Sequence, residues 1–149
     1  MPRMIGLSLV LLTLACASGN GSGRPDGVAE PTINIRQSSP IYFGSGTSAP
    51  VSLNVYVTNN ANVPIRVRQV EIRSPGMSQF TLIQTSRLFG ETIPPGESRT
   101  LSLMATAVRS QTRFRAEEPL SVVAVVRMEA KGQEFRKVVM EQFAGAGTT

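Results

Sequence analysis

Apolar and polar residues alternate one for one over long stretches of this chain. Val51, Leu53, Val55 and Val57 are interleaved with Ser52, Asn54, Tyr56 and Thr58; Leu101, Leu103, Ala105 and Ala107 are interleaved with Thr100, Ser102, Met104 and Thr106. A period of two sends successive side chains to opposite faces, so each run predicts a half-buried strand, with Val55 and Leu103 in the core. Ile65 and Val67 alternate with Arg66 and Arg68, but the apolar phase slips by one before Val70 and Ile72. One inserted residue, a β-bulge near Arg68 or Gln69, restores a single inward face. It also brings Arg66, Arg68 and Arg73 together on the outer face. Residues 120–128 are apolar on both faces through Val122, Val123, Val125 and Val126, the mark of a central strand.

Turn residues punctuate these runs at Asn59-Asn60-Ala61-Asn62, Ser74-Pro75-Gly76 and Ile93-Pro94-Pro95-Gly96-Glu97. Pro64 stands where a strand opens, a place that tolerates its missing N–H. Lys131-Gly132 predicts a tight hairpin into a last strand over 133–143. That register sets Glu129 opposite Glu134 and Arg127 opposite Arg136, like charges face to face, offset in part by the opposite-charge diagonals. Shorter strands are expected around Phe80 and Leu82, over 33–36 and over 41–43. Residues 109–119 fit neither period and are expected to form a polar loop or one helical turn. The sum is about seven or eight strands, which predicts an all-β, immunoglobulin-like antiparallel β-sandwich over 32–143.

Two resemblances follow from short motifs. The run Val55-Tyr56-Val57-Thr58-Asn59-Asn60-Ala61-Asn62-Val63-Pro64-Ile65, with the later Ile93-Pro94-Pro95-Gly96-Glu97-Ser98, resembles the late embryogenesis abundant type 2 (water-stress) domain. Ala61 stands where that family has the proline of an Asn-Pro-Asn turn. The resemblance implies a fibronectin-III-like sandwich and no enzymatic activity, and it transfers no binding residue. At the other end of the chain, Arg3 precedes an apolar core of Ile5, Leu7, Leu9, Val10, Leu11 and Leu12, and Ala15 precedes Cys16, the one cysteine. This apolar run is too short for a permanent transmembrane helix and lies where a cleaved export signal belongs.

Leu12-Thr13-Leu14-Ala15-Cys16 resembles the lipobox of bacterial lipoproteins, with Thr13 in place of the usual Leu and Leu14 in place of a small residue. The resemblance implies removal of residues 1–15, lipidation of Cys16 and a place in the bacterial cell envelope. Ala17, where many inner-membrane lipoproteins carry aspartate, implies the outer membrane. Cleavage near Ala17 or Ser18, and an uncleaved anchor, are the competing readings. Lipidation also disposes of a lone thiol that would otherwise be reactive in an oxidising compartment. Residues 16–31, rich in Gly and Ser, are expected to form a flexible tether, and 144–149 a disordered tail.

Composition narrows the chemistry. The chain has 149 residues, a net charge of +5, and neither histidine nor tryptophan. Without histidine the usual general base and the commonest metal ligand are missing. Gly44-Ser45-Gly46-Thr47 lacks the lysine and following helix of a phosphate-binding loop and reads as a turn. Glu117-Glu118 reads as solvated charge, and Arg109, Arg113 and Arg115 beside Phe114 as a solvated loop paired with it. Nothing here calls for a catalytic residue, a metal, a cofactor or nucleic acid. The expectation is a lipid-anchored, non-enzymatic interaction module with an envelope protein as partner. An anionic envelope polymer held by Arg66, Arg68 and Arg73 is the alternative, beside a stress-protective role of the late embryogenesis abundant kind.

Overall fold

Period-two patterning gives two-faced strands, and two-faced strands bury their apolar side only by stacking sheets. The computed structural model describes residues 23–76, 80–109 and 119–143. Nine strands occur there, and no helix: β1 (Thr32–Gln37), β2 (Ser48–Thr58), β3 (Ile65–Arg73), β4 (Phe80–Ile83), β5 (Thr85–Leu88), β6 (Thr92–Ile93), β7 (Ser98–Arg109), β8 (Leu120–Ala130) and β9 (Gln133–Phe143). One sheet has the order β1-β2-β7-β4; the other has the order β5-β3-β8-β9, with β6 also pairing β3. Every pairing is antiparallel. This is an all-β antiparallel sandwich. The β1-β2-β7 trio of one sheet and the β3-β8-β9 trio of the other follow the immunoglobulin plan.

The inward rows interlock as the alternation predicts. Ala49, Val51, Leu53 and Val55 of β2 lie directly opposite Ala107, Ala105, Leu103 and Leu101 of β7, and all of them, with Val57, are buried. From the other sheet come Val67, Val70 and Ile72 of β3 and Val122, Ala124, Val126 and Met128 of β8. The β3–β8 register shifts between Val67 and Gln69, so the bulge residue is Arg68. The carbonyl of Arg68 accepts a bond from Phe89 N–H at 2.9 Å, which engages the bulge with the β5–β6 connection. Lys131 and Gly132 both have positive φ, as a two-residue type I′ hairpin requires.

Three expectations need correction. Residues 41–43 form no strand. Ile41 is buried, Phe43 stacks on Phe80 with ring centroids 5.4 Å apart, and Gly46 N–H bonds to the Phe43 carbonyl in a turn. Their apolar side chains plug one end of the sandwich instead of joining a ladder. Conversely, β5 and β6 are additional strands. β5 is an edge strand exposed along most of its length, and β6 has two residues, so neither carries an alternating signal. Finally, residues 23–31 pack against the body although their composition reads as tether. Pro25, Val28 and Pro31 are buried; Lys131 Nζ bonds to the Asp26 carbonyl at 3.1 Å and Lys137 Nζ to the Pro31 carbonyl at 2.8 Å. Val28 joins the hydrophobic core, and the two lysines of the β8–β9 hairpin hold the segment by its carbonyls.

Cys16, the segment holding Arg113, Phe114, Arg115, Glu117 and Glu118, and the tail 144–149 lie outside the described residues.

Candidate interaction surface

The outer face of the β5-β3-β8-β9 sheet carries two neighbouring regions of opposite character. Near the hairpin it is charged. Arg66 of β3 lies opposite Glu129 of β8, Gln69 opposite Arg127, and Arg127 in turn opposite Arg136 of β9. Glu129 faces Glu134, as the two-residue loop dictates. The bulge resolves this like-charge pair: Arg68 reaches across, with Nη1 3.4 Å from Glu129 and Nε 3.9 Å from Glu134. A cation between two carboxylates offsets their mutual repulsion, at surface strength because all three side chains are partly solvated. Arg66, Arg68, Gln69, Leu88, Phe89, Arg127 and Glu134 line a shallow cleft of about 440 Å³ at this end.

The three arginines picked out from the sequence are all exposed, but they do not act as one stripe. Arg66 has no ion pair among the described residues. Arg68 is occupied by the two glutamates. Arg73 lies at the far end of β3, its Nε 3.9 Å from Glu71, whose carboxylate stands on the same face and also accepts a bond from Gln84 at 3.0 Å. About 20 Å of strand separates Arg66 from Arg73. The cation that the structure places beside Arg66 and Arg68 is Arg127, which alternation alone assigns only to an outer face. Arg109 lies elsewhere, at the end of β7, over the ring of Phe43.

Away from the hairpin the β8–β9 part of this face turns apolar, flanked on β3 by Glu71 and Arg73. Val125 is directly opposite Val138 and Val123 opposite Met140. The β8 pair is covered, at 8% and 3% exposure, while Val138 and Met140 on β9 are 55% and 60% exposed. These four form one continuous apolar strip that ends at the sheet edge, since among the described residues β9 has no neighbour beyond it. Exposed apolar residues scattered singly are ordinary, but a contiguous group beside an open edge is where partners dock.

A second concavity carries no evident chemistry. A cleft of about 530 Å³ between residues 35–41 and Phe143 is lined by Arg36 and otherwise by apolar, hydroxyl and amide groups. Among the described residues no group of three or more His, Cys, Asp or Glu is placed to hold a metal ion. No helix among them is long and apolar enough to cross a membrane.

No protein-family model matches the chain, and no curated protein matches it. Solved structures do resemble it. A Bordetella pertussis protein carrying the name ApaA superposes with a TM-score of 0.55 at 13% identity, covering 83% of this chain and 100% of its own. The structural-genomics target SoR45 superposes with a TM-score of 0.54 at 14% identity, covering 78% of this chain and 85% of that one. At such identities the likeness is one of architecture, and the chain shares with both an all-β fold.

Proposed function

We propose that this protein is a lipid-anchored, non-enzymatic interaction module of the bacterial cell envelope, docking through the β8–β9 face. The observation that carries the docking surface is the apolar strip of Val123, Val125, Val138 and Met140 running to an unpaired edge strand. The envelope address rests on the export signal and lipobox-like Leu12-Thr13-Leu14-Ala15-Cys16. The late-embryogenesis-abundant-like turn at Asn59 to Pro64 supports a role without catalysis, and a stress-protective role of that kind would use the same surface.

A photoreactive amino acid at Met140, in the full chain in living cells, tests the surface. Adducts are expected from Met140 and not from Met104, which is comparably exposed on the opposite sheet. Equal labelling from both positions refutes docking at this face.

One observation favours a second reading, capture of an anionic polymer: Arg66 has no ion pair among the described residues and shares its cleft with Arg68 and Arg127. The triple variant Arg66→Gln, Arg68→Gln, Arg127→Gln is then expected to lose salt-sensitive retention on purified envelope polymer, while Arg73→Gln, at the far end of β3, should leave it unchanged. Unchanged retention at low salt removes this reading.

A further inference from the structure

We infer that β9 pairs with β9 of a second copy, antiparallel, in one register centred on Val139. This rests on the interaction-module reading above and names its partner.

The open edge is the starting point. Among the described residues β9 is the longest edge strand, with 11 residues against 6 in β1 and 4 each in β4 and β5. The two-residue hairpin makes Ala130 and Gln133 a mutually bonded pair, so odd-numbered residues of β9 bond to β8. The N–H and C=O groups of Arg136, Val138, Met140 and Gln142 therefore point to the free edge. Unpaired rows of this kind are commonly guarded by inward-pointing charges. Here the guards are Lys137 and Glu141, which alternate with Phe135, Val139 and Phe143 on the inward side.

The guards are also a key. With Val139 opposite Val139 of the second copy, Lys137 falls opposite Glu141 of that copy, and Glu141 opposite its Lys137. Phe135 meets Phe143, and Val138 meets Met140, each pairing occurring twice. Shifting the centre by one residue toward the hairpin puts Phe135 opposite Glu141 and Lys137 opposite Val139. Shifting it by two puts Lys137 opposite Lys137. A shift by one the other way puts Val139 opposite Glu141. One register alone satisfies charge and apolar contact together, which is how register is specified in a strand pair.

Local structure agrees with that register. The Lys137 ammonium donates to Glu30 and to the Pro31 carbonyl, leaving one of its three donors for Glu141 of the second copy. The backbone carbonyl of Glu134 lies 3.7 Å from where a side chain on Gly23 would begin, so the N-terminal segment occupies the edge next to the hairpin. Pairing over Arg136 to Gln142 leaves that end out and forms about eight backbone hydrogen bonds. The exposed surfaces of Val138 and Met140 then become mutual contacts, and the apolar strips of the two copies join.

Charge reversal tests both partner and register. The full-length chain, extracted in a non-ionic detergent, is followed by sedimentation as wild type, as Lys137→Glu, as Glu141→Lys and as an equimolar mixture of the two variants. Wild type is expected to dimerise, and each variant alone to dissociate at least tenfold more readily because like charges face each other twice. The mixture is expected to recover the dimer. The carboxylate introduced at position 137 of one copy then faces the ammonium introduced at position 141 of the other, and the native Glu141 of the first copy faces the native Lys137 of the second. Recovery also shows that both variants fold. A monomeric wild type, single variants that dimerise as wild type does, or a mixture that fails to recover overturns the proposal. If Met140 adducts to another protein persist alongside a monomeric wild type, docking at this face stands without the self-pairing.

Discussion

The side-chain amide of Asn59 donates to the carbonyl oxygen of Ile93 at 2.9 Å, with both groups sealed from solvent. The same nitrogen donates to the Val63 carbonyl at 2.8 Å, and Oδ1 accepts from Ala61 N–H at 2.9 Å. The Asn59 backbone completes the knot through Glu97 and Gly96, each at 2.9 Å. Asn59 is the one buried polar side chain among the described residues, and both its donors and its acceptor are used. It ties the β2–β3 turn to the Pro-Pro-Gly turn before β7.

Replacing Asn59 with Ala leaves the Ile93 carbonyl and the Ala61 N–H without partners in the interior, and the half-buried Val63 carbonyl without its donor. The expected loss is about 1–3 kcal/mol, read as a lower urea midpoint. Asn59→Asp is expected to cost more, because a carboxylate cannot donate to either carbonyl.

Leu103→Ala is expected to cost about 2–5 kcal/mol, since the side chain is buried opposite Leu53 and its removal opens a cavity. Val55→Ala, one pair along the same ladder, should also be clearly destabilising but less so. Thr100→Ala, on the solvent side of β7, is expected to stay within about 0.5 kcal/mol. Denaturation curves for the three variants provide the comparison.

Arg68→Gln leaves Glu129 and Glu134 facing each other with no cation between them. A loss of about 0.2–1 kcal/mol, shrinking with added salt, is expected at this exposed site. A double-mutant cycle with Glu134→Gln measures it, and the double variant should recover part of the loss.

The hydrogen bond from Lys137, then its charge and that of Arg24, hold the Glu30 carboxyl below the usual carboxylate range. The folded value is the lower one. The contribution of this contact is therefore present above the unfolded-state value and lost as pH falls through the folded one. An NMR titration following Val28, whose N–H bonds to Pro25, should show the 23–31 segment loosening in acid. Glu30→Gln should remove that titration.

Cys16 is expected to be the first residue of the mature protein and to carry lipid. Mass spectrometry of the membrane fraction decides this, and an unmodified terminus beginning after Cys16 refutes it.

Alternation was enough to place β2, β3 and β7, because a period of two cannot be mistaken over nine or more residues; β8 was legible instead as a run apolar on both faces, and β9 from the Lys131-Gly132 turn that precedes it. The phase slip before Val70 located the bulge for the same reason. Legibility failed where side chains served something other than a ladder. Ile41 and Phe43 look like strand residues because they are apolar, yet they plug an end. β5 looks like nothing because an exposed edge strand has no inward row to preserve. The charged end of the surface was legible only in part: Arg66 and Arg68 announce themselves by alternation. Their neighbour Arg127, and the two glutamates that occupy Arg68, follow from pairing across strands far apart in sequence. Asn59 read as an ordinary turn residue, since nothing local shows that the chain folds over it.

The packing of residues 23–31 on the hairpin shortens the leash. If Cys16 carries lipid as proposed, only about seven residues would separate membrane from folded body, a contour length of at most about 25 Å rather than about 50 Å. In the proposed lipid-anchored form the body would stay in the layer next to the bilayer, and a partner would be met there. In the proposed β9-paired dimer the two strands would run in opposite directions, so the two leashes would leave from opposite ends, about 35 Å apart. Both would reach one bilayer most directly with the two-fold axis of that dimer along the membrane normal. The sheets would then lie flat on the membrane, like a raft moored at both ends.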